Sequence, residues 1–329
     1  MASSGLAQLA PILEAGGEGL RLIMDRTEDR LRAAAGGHGQ ALAGWAEGTL
    51  SAGGKRLRPM LVYICAGEGA PELVVHAGAA VELLHMATLV HDDVLDRADL
   101  RRGRATVFAL DGRDAATATG DLLFSRAFAE LVFAGNEDAV RALSAASSAL
   151  ARGELMQRAD AWNVGVSVDR YLKRCELKTA RLFEAACRLG ALLGTPGPAA
   201  ADVLATYGRA IGVAFQIFDD VLDVSGPVER TGKARGTDLL DGTVTLPLIL
   251  ARSRDPELAA LDLRGAVTSA ADAERICDAI AATGSLEECR SVALEHVATA
   301  KRAMKGLDLP ERQARLLDLV AEGVVERYS

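Results

Sequence analysis

The stretch from Leu73 to Asp96 reads LVVHAGAAVELLHMATLVHDDVLD, an apolar run that ends abruptly in carboxylates. Ala, Leu and Val recur here without the period-two alternation of a half-buried strand. The run therefore predicts a helix, over Glu72–Val94, that is apolar on nearly every side. Such a helix is either a membrane span or the centre of a core. Glu82, His76 and His85 lie within it, and an ionised carboxylate at mid-bilayer costs about 2.5–3.5 kcal/mol. The expectation is a core helix whose last turn delivers Asp92, Asp93 and Asp96 in the pattern DDxxD.

That pattern recurs once. Gly212–Asp223 reads GVAFQIFDDVLD and closes a second long apolar helix, expected over Ala200–Val224. At ordinary Asp content, chance supplies about 0.1 DDxxD per chain of this length. Two copies in equivalent settings are not an accident of composition. Working outward, helical spacing covers Glu18–Ala35, Ala115–Phe133, Glu137–Asn163, Asp169–Leu193, Val244–Ser253, Ala271–Ala282, Leu286–Met304 and Glu311–Arg327. Gly- and Pro-bearing breaks separate these segments at Gly53-Gly54, Gly194–Gly197, Ser225–Pro227 and Leu309-Pro310. No polar linker or fixed-period repeat divides the chain, so the reading is one all-α domain over residues 1–329, built from ten or more helices.

Composition narrows the partners. The 329 residues are 50% apolar and 25% charged, and 37 basic against 45 acidic side chains give a net charge of −8. A nucleic-acid binder would carry a basic face, and a disordered chain would be less apolar. The N-terminus has no basic residue before Arg21 and no long apolar core, so no secretory signal is expected and the location is read as cytoplasmic. Five scattered cysteines without a CxxC pair fit reduced core thiols.

The acidic spacing carries the chemistry. Residues i and i+4 share a helix face, so Asp92 stands beside Asp96 and Asp219 beside Asp223. Carboxylates at a helix C-terminus also meet the negative end of the macrodipole. A hard divalent cation offsets both, and Mg²⁺ in particular is held by one or two carboxylates together with substrate phosphates. Such a cluster needs further cations for the remaining phosphate charge. Compact basic groups supply them at Lys55, Arg56 and Arg58, at Arg101-Arg102, at Lys178 and at Lys233.

At this point the chain resembles the trans-isoprenyl diphosphate synthases, or polyprenyl synthetases. GGKRLRP, ELLHMATLVHDDVLDRADLRRG, GDLLFSRAF, ELKTARLF, GVAFQIFDDVLD and GKARGTDLLDGTVTLP occur in family order across Gly53–Pro247. The resemblance implies an isoprenoid-synthase-type bundle of mostly antiparallel helices around a deep apolar cavity, as a homodimer. It implies condensation of isopentenyl diphosphate with an allylic diphosphate, with three Mg²⁺ ions per active site once substrate is bound. Asp92, Asp96 and Asp219 would bind metal, while Asp93, Asp220 and Asp223 would act through hydrogen bonds and bound water. Arg101, Lys178 and Lys233 would hold the allylic diphosphate, and Lys55, Arg58, His85 and Arg102 the isopentenyl diphosphate. Thr179 and Gln216 would line the reacting carbons.

Product length is read from the turn before the first acidic motif. Ala87 and Thr88 are small where short-chain members of the family carry aromatics, and Leu84 lies one turn deeper. This predicts a product of C30 or above, of the kind used as a quinone side chain. A short-chain (C15–C20) synthase is the alternative. One position departs from the family: Thr243 stands where GKxTLP has Lys. Three rivals are weaker. A class I terpene cyclase lacks the isopentenyl grip and normally has an asymmetric second motif. A di-iron bundle needs a second Glu-x-x-His besides Glu82–His85. A non-catalytic prenyl-binding subunit tends to lose the acidic motifs. No transmembrane span and no nucleic-acid partner are expected, though the membrane is a plausible place to unload a greasy product.

Overall fold

Pro11 opens the first helix, Ala10–Ala35 (α1), where a missing N–H is no loss. In the computed structural model, which describes residues 9–51, 53–68, 71–226 and 235–326, the chain is helical almost throughout. Gln40–Ser51 (α2), Leu57–Ala66 (α3) and Pro71–Asp96 (α4) come next. A two-stranded hairpin pairs Leu100–Arg101 (β1) with Arg104–Ala105 (β2). Val107–Phe133 (α5), Glu137–Asp160 (α6) and Val168–Cys175 (α7) follow, then a π turn at Glu176–Ala180. Arg181–Leu193 (α8), Gly197–Ser225 (α9), Thr237–Leu240 (α10), Leu246–Arg254 (α11), Pro256–Ala260 (α12), Leu263–Ala266 (α13), Ala270–Ala282 (α14), Ser285–Ala303 (α15) and Glu311–Glu326 (α16) complete the order.

The chain forms two compact units. The first holds residues 1–147, 182–208 and 304–320; the second holds 148–181, 209–303 and 321–329. The division runs through the interiors of α6, α9 and α16, which is why no compositional break announces it.

In the first unit α4 is the core. Val74, Val75, Ala77, Ala79, Ala80, Val81, Leu83, Leu84, Met86 and Ala87 are all buried. Among the described residues α4 alone is long and apolar enough to cross a membrane, and most of its apolar length is covered by the protein itself. It packs chiefly on α5, where Gly120 leaves room for the His91 imidazole. A Cβ there would fall 2.2 Å from His91 Nε2. The C-terminal helix is tied in by Gln313, whose amide donates to the carbonyls of Ile64 and Cys65. Tyr207 O–H donates to Leu317 O. A buried polar knot also joins α1, α4 and α5, since Glu130 accepts from Arg30 at 2.7 and 2.8 Å and pairs with His76 at 2.6 Å.

In the second unit α11, α14 and α15 pack through Leu246, Leu248, Ala251, Ile276, Ile280, Cys289 and Ala293. Buried Asp160 pairs with Arg170 at 2.6 Å and with Arg174 at 3.6 Å. Arg174 also donates to the Val244 carbonyl at 2.5 Å, tying the chain just past Thr243 to α7. All five cysteines are buried and unbridged.

Three departures from the expected helices have local causes. Helices α1 and α5 begin well before Glu18 and Ala115, because each continues across a kink at a positive-φ glycine, Gly17 (φ 59°) and Gly112 (φ 83°). The expected Asp169–Leu193 helix is interrupted by the π turn. The hairpin turns on Arg102 (φ 53°) and Gly103 (φ 75°), and the primed hairpin turn needs positive φ at both positions.

Candidate active site

The first unit carries Lys55, Arg58, Leu84, His85, Ala87, Thr88, Asp92, Asp93, Asp96, Arg101 and Arg102. At the end of α4 the three aspartates divide. Asp92 is partly exposed and Asp96 exposed, on the shared i,i+4 face. Asp93 turns inward and accepts from Arg101 Nε at 2.6 Å. Burial raises the Asp93 pKa, and Arg101 opposes that rise. One turn upstream of Asp92, Thr88 is partly exposed, whereas Ala87 and Leu84 are completely buried.

Beside this helix end lies a cluster of cations. Arg56 adopts a left-handed backbone (φ 49°) and pairs with Glu82 at 2.8 Å and with Glu28. Glu82 is thus the counter-ion of an arginine. The Arg58 guanidinium stacks 4.7 Å above the Phe183 ring, and its buried Nε has no hydrogen-bond partner. Burial pushes its pKa down to about 10, which still leaves it charged at neutral pH. Burial, then Arg58, Arg102, Arg101 and Arg56, hold His85 well below its ordinary range, so its imidazole is neutral. A concentration of guanidiniums with an orphaned buried donor is a site for an anion with several oxygens.

The second unit carries Lys178, Thr179, Gln216, Asp219, Asp220 and Asp223. Lys233 lies outside the described residues. Here too the middle aspartate turns inward. Asp220 is buried and accepts from Tyr171 O–H and from Gln216 Nε2, each at 2.7 Å. Burial pushes its pKa up to about 7 against the pull of those two donors. Asp219 is partly exposed. The Asp223 carboxylate accepts the backbone N–H groups of Thr237 and Asp238 at 3.1 and 3.2 Å, capping the first turn of α10. Thr243 N–H donates to the Asp238 carbonyl at 2.7 Å.

The π turn presents Lys178 and Thr179, and single π turns inside helices concentrate at functional sites. Its seat is built by α6. A Cβ on Gly153 would lie 2.6 Å from Lys178 N and 2.8 Å from Lys178 Cα, so only glycine allows the two backbones to touch. The next residue, Glu154, pairs with Lys178 at 2.5 Å and with Arg158 at 2.8 Å. Gly153→Ala should therefore lower stability by about 1–3 kcal/mol, as overpacking does. It should also slow turnover more than about tenfold, because displacing Lys178 and Thr179 misplaces bound substrate. Thermal denaturation and steady-state kinetics check both; wild-type values for both would show that the turn tolerates the methyl group.

Glu154, Tyr171, Phe183 and Glu28 were not found in the sequence. Glu154 sits four residues before Arg158, the spacing of an ordinary surface pair, and nothing local points to Lys178 24 positions later. Tyr171 lies outside every acidic or basic group. For Gly153, a lone glycine inside a long helical pattern was the available signal.

The donor set suits a hard divalent cation. Asp92, Asp96 and Asp219 offer only oxygen, and each lies where solvent reaches it. Among the described residues no three His, Cys, Asp or Glu side chains gather into a ready-made cage.

An all-α chain with two acidic helix ends, in each of which the middle aspartate turns inward, and with a guanidinium cluster beside the first, is an isoprenoid-synthase-type protein. Residues 40–282 match the polyprenyl synthetase family, and the chain belongs to that family as a prenyl-group transferase. Component 2 of heptaprenyl diphosphate synthase from Geobacillus stearothermophilus is 40% identical over 82% of this chain and 85% of its own. A geranylgeranyl diphosphate synthase from Methanosarcina mazei is 35% identical over 84% and 87%. Among solved structures, a decaprenyl diphosphate synthase from Rhodobacter capsulatus superposes with a TM-score of 0.87, at 34% identity, over 96% of this chain and 99% of that one. A polyprenyl synthase from Caulobacter crescentus, solved with calcium and isoprenyl diphosphate, gives 0.85 at 32% identity over 98% of both chains.

Proposed function

We propose that this enzyme condenses isopentenyl diphosphate head-to-tail, 1'-4 and trans, with an allylic diphosphate, in a Mg²⁺-dependent reaction that yields a long-chain polyprenyl diphosphate. The observation that carries the reading is the double DDxxD, in which the middle aspartate of each copy is buried against a protein donor while Asp92, Asp96 and Asp219 reach solvent. Calcium and isoprenyl diphosphate on the Caulobacter relative support a divalent cation here. Asp92, Asp96 and Asp219 would hold the metal. Bound there, Mg²⁺ draws charge from the allylic diphosphate and makes it a better leaving group.

The protein's own residues supply the rest. Lys178, Arg101 and Lys233 grip the allylic diphosphate, while Lys55, Arg58, His85 and Arg102 grip isopentenyl diphosphate. Asp93 holds Arg101, and Asp223 holds the start of α10. Thr179 turns its oxygen toward the developing allylic cation, which the isopentenyl double bond then traps. Loss of a proton completes the step, the departing diphosphate being the nearest base. Release of inorganic diphosphate from the two substrates together, abolished by chelation and restored by Mg²⁺, tests the reaction; release without Mg²⁺ contradicts it.

The product is C30 or longer. One helical turn rises 5.4 Å, close to one isoprene unit, and burying five more carbons is favourable by about 3–4 kcal/mol. Growth therefore continues until a side chain blocks it. Thr88 is small, partly exposed and on the face that carries Asp92. Thr88→Phe should cut the product to C15–C20, read by mass spectrometry, and an unchanged length would remove the floor from this face. Ala87→Phe is the less clean test, because Ala87 is fully buried and a ring there must displace its neighbours.

The active form is read as a homodimer. Phe124, Phe128 and Val132 follow one another at i+4 spacing on α5, with Phe124 and Val132 exposed, an apolar stripe of the kind that protein contacts cover. The relative named as a component 2 makes a heteromer the competing outcome of a sedimentation measurement. The proposed location is the cytoplasm, with transient membrane contact to unload product.

A further inference from the structure

Tyr171 belongs to none of the acidic or basic groups, yet it begins a buried chain of hydrogen bonds that ends at Thr179. Its ring is 1% exposed, and its hydroxyl donates to Asp220 Oδ2 at 2.7 Å. On the same helix, one turn earlier, Gln216 Nε2 donates to Asp220 Oδ1 at 2.7 Å. Gln216 Oε1 in turn accepts from Thr179 Oγ at 2.7 Å. The direction of each bond follows from the one before it. In its ionised form Asp220 offers only acceptors, and the amide then faces it with its NH2 group, as the short Nε2 contact shows. The amide oxygen then faces Thr179, whose hydroxyl has to donate. The single proton of Thr179 is used within the chain, and what remains for a neighbouring ligand is its lone pairs.

We propose that Tyr171 is a positioning residue for the condensation. Acting through Asp220 and Gln216, it fixes the polarity of the Thr179 hydroxyl, so that an oxygen lone pair rather than a proton meets the allylic cation. Oriented dipoles of this kind are effective because they need no reorganisation when charge develops. Without the phenol, Asp220 loses one of its two donors and is no longer held in one orientation, and the amide of Gln216 loses the fixed partner that orients it. The proposal rests on the reading that Thr179 faces the reacting carbons, and the test separates the two.

Single-turnover rate constants, with enzyme in excess over the allylic diphosphate, are to be compared for the wild type, Tyr171→Phe, Thr179→Val and the double variant. Thr179→Val should slow the step about 100-fold, in line with loss of a preorganised dipole. Tyr171→Phe should slow it about tenfold, with the half-saturating allylic concentration unchanged. Added to Thr179→Val it should change the rate by less than about twofold, because residues acting through one another are not additive. The rate constant reports folded molecules alone, and any loss of folding appears in the amplitude. A Tyr171→Phe rate equal to wild type, or a further tenfold loss in the Thr179→Val background, overturns the positioning role. A wild-type rate for Thr179→Val itself overturns the underlying assignment of Thr179.

Discussion

Asp92→Asn should lower turnover about 10³-fold or more and leave the fold intact. Loss of a single preorganised electrostatic stabiliser already costs about 10²–10³ in kcat, and here the lost charge is one that holds the cation beside the leaving group. The amide keeps the shape of the side chain and its hydrogen-bonding oxygen but not its charge. Stability should not suffer. Asp92 is partly exposed at the C-terminal end of α4, where the helix dipole disfavours a negative group. In the absence of metal the variant should therefore melt at or slightly above the wild-type temperature. The extra stability that Mg²⁺ and inorganic diphosphate confer on the wild type by binding the folded state should shrink. Kinetics and melting curves with and without Mg²⁺ read both effects; activity within tenfold of wild type would remove Asp92 from the metal site.

Arg58→Leu should raise the KM for isopentenyl diphosphate about 100-fold, in keeping with about 1.5–3 kcal/mol for hydrogen bonds to a charged group. The KM for the allylic substrate should change little. The same substitution should raise the melting temperature or leave it alone, because a buried guanidinium beside other arginines is exchanged for an apolar side chain. The pH profile follows from His85. Its folded pKa lies well below 6.5, so it binds as a neutral N–H donor and the KM for isopentenyl diphosphate should show no inflection near pH 6.5. The same depression means that the unfolded chain takes up a proton below about pH 6.5 before the folded one does, so His85 contributes stability that is lost as pH falls. Equal rises in both KM values would show that Arg58 supports the site generally rather than gripping one substrate.

The helices and the acidic ends were legible because both are written in short-range spacing. An apolar run such as Leu73–Val90 and an i,i+4 pair such as Asp92 and Asp96 need no knowledge of what packs against them. The buried Asp93 and the capping Asp223 could not be read that way, since their partners, Arg101 and the amides of Thr237 and Asp238, are set by the path of the hairpin and the start of α10. The π turn at Glu176–Ala180 was hidden for the same reason. Its residues are good helix formers, and the extra residue per turn is stabilised by the approach of Gly153 from another helix. Glu-x-x-His spacing holds at Glu82–His85 on α4 without a second copy elsewhere, and the Glu82 carboxylate meets Arg56. Helix α2 is missed because it is short and flanked by glycines that read as loops.

Chain elongation is the property on which every role assigned to these residues depends. The most direct measurement is mass spectrometry of the products formed from isopentenyl diphosphate with C5, C10, C15 and C20 allylic diphosphates in turn, with and without Mg²⁺. The expected result is a Mg²⁺-dependent ladder in steps of five carbons that ends at one length of C30 or more whichever primer begins it. Intact primers in every reaction, or a cyclised hydrocarbon in place of a longer diphosphate, would contradict it.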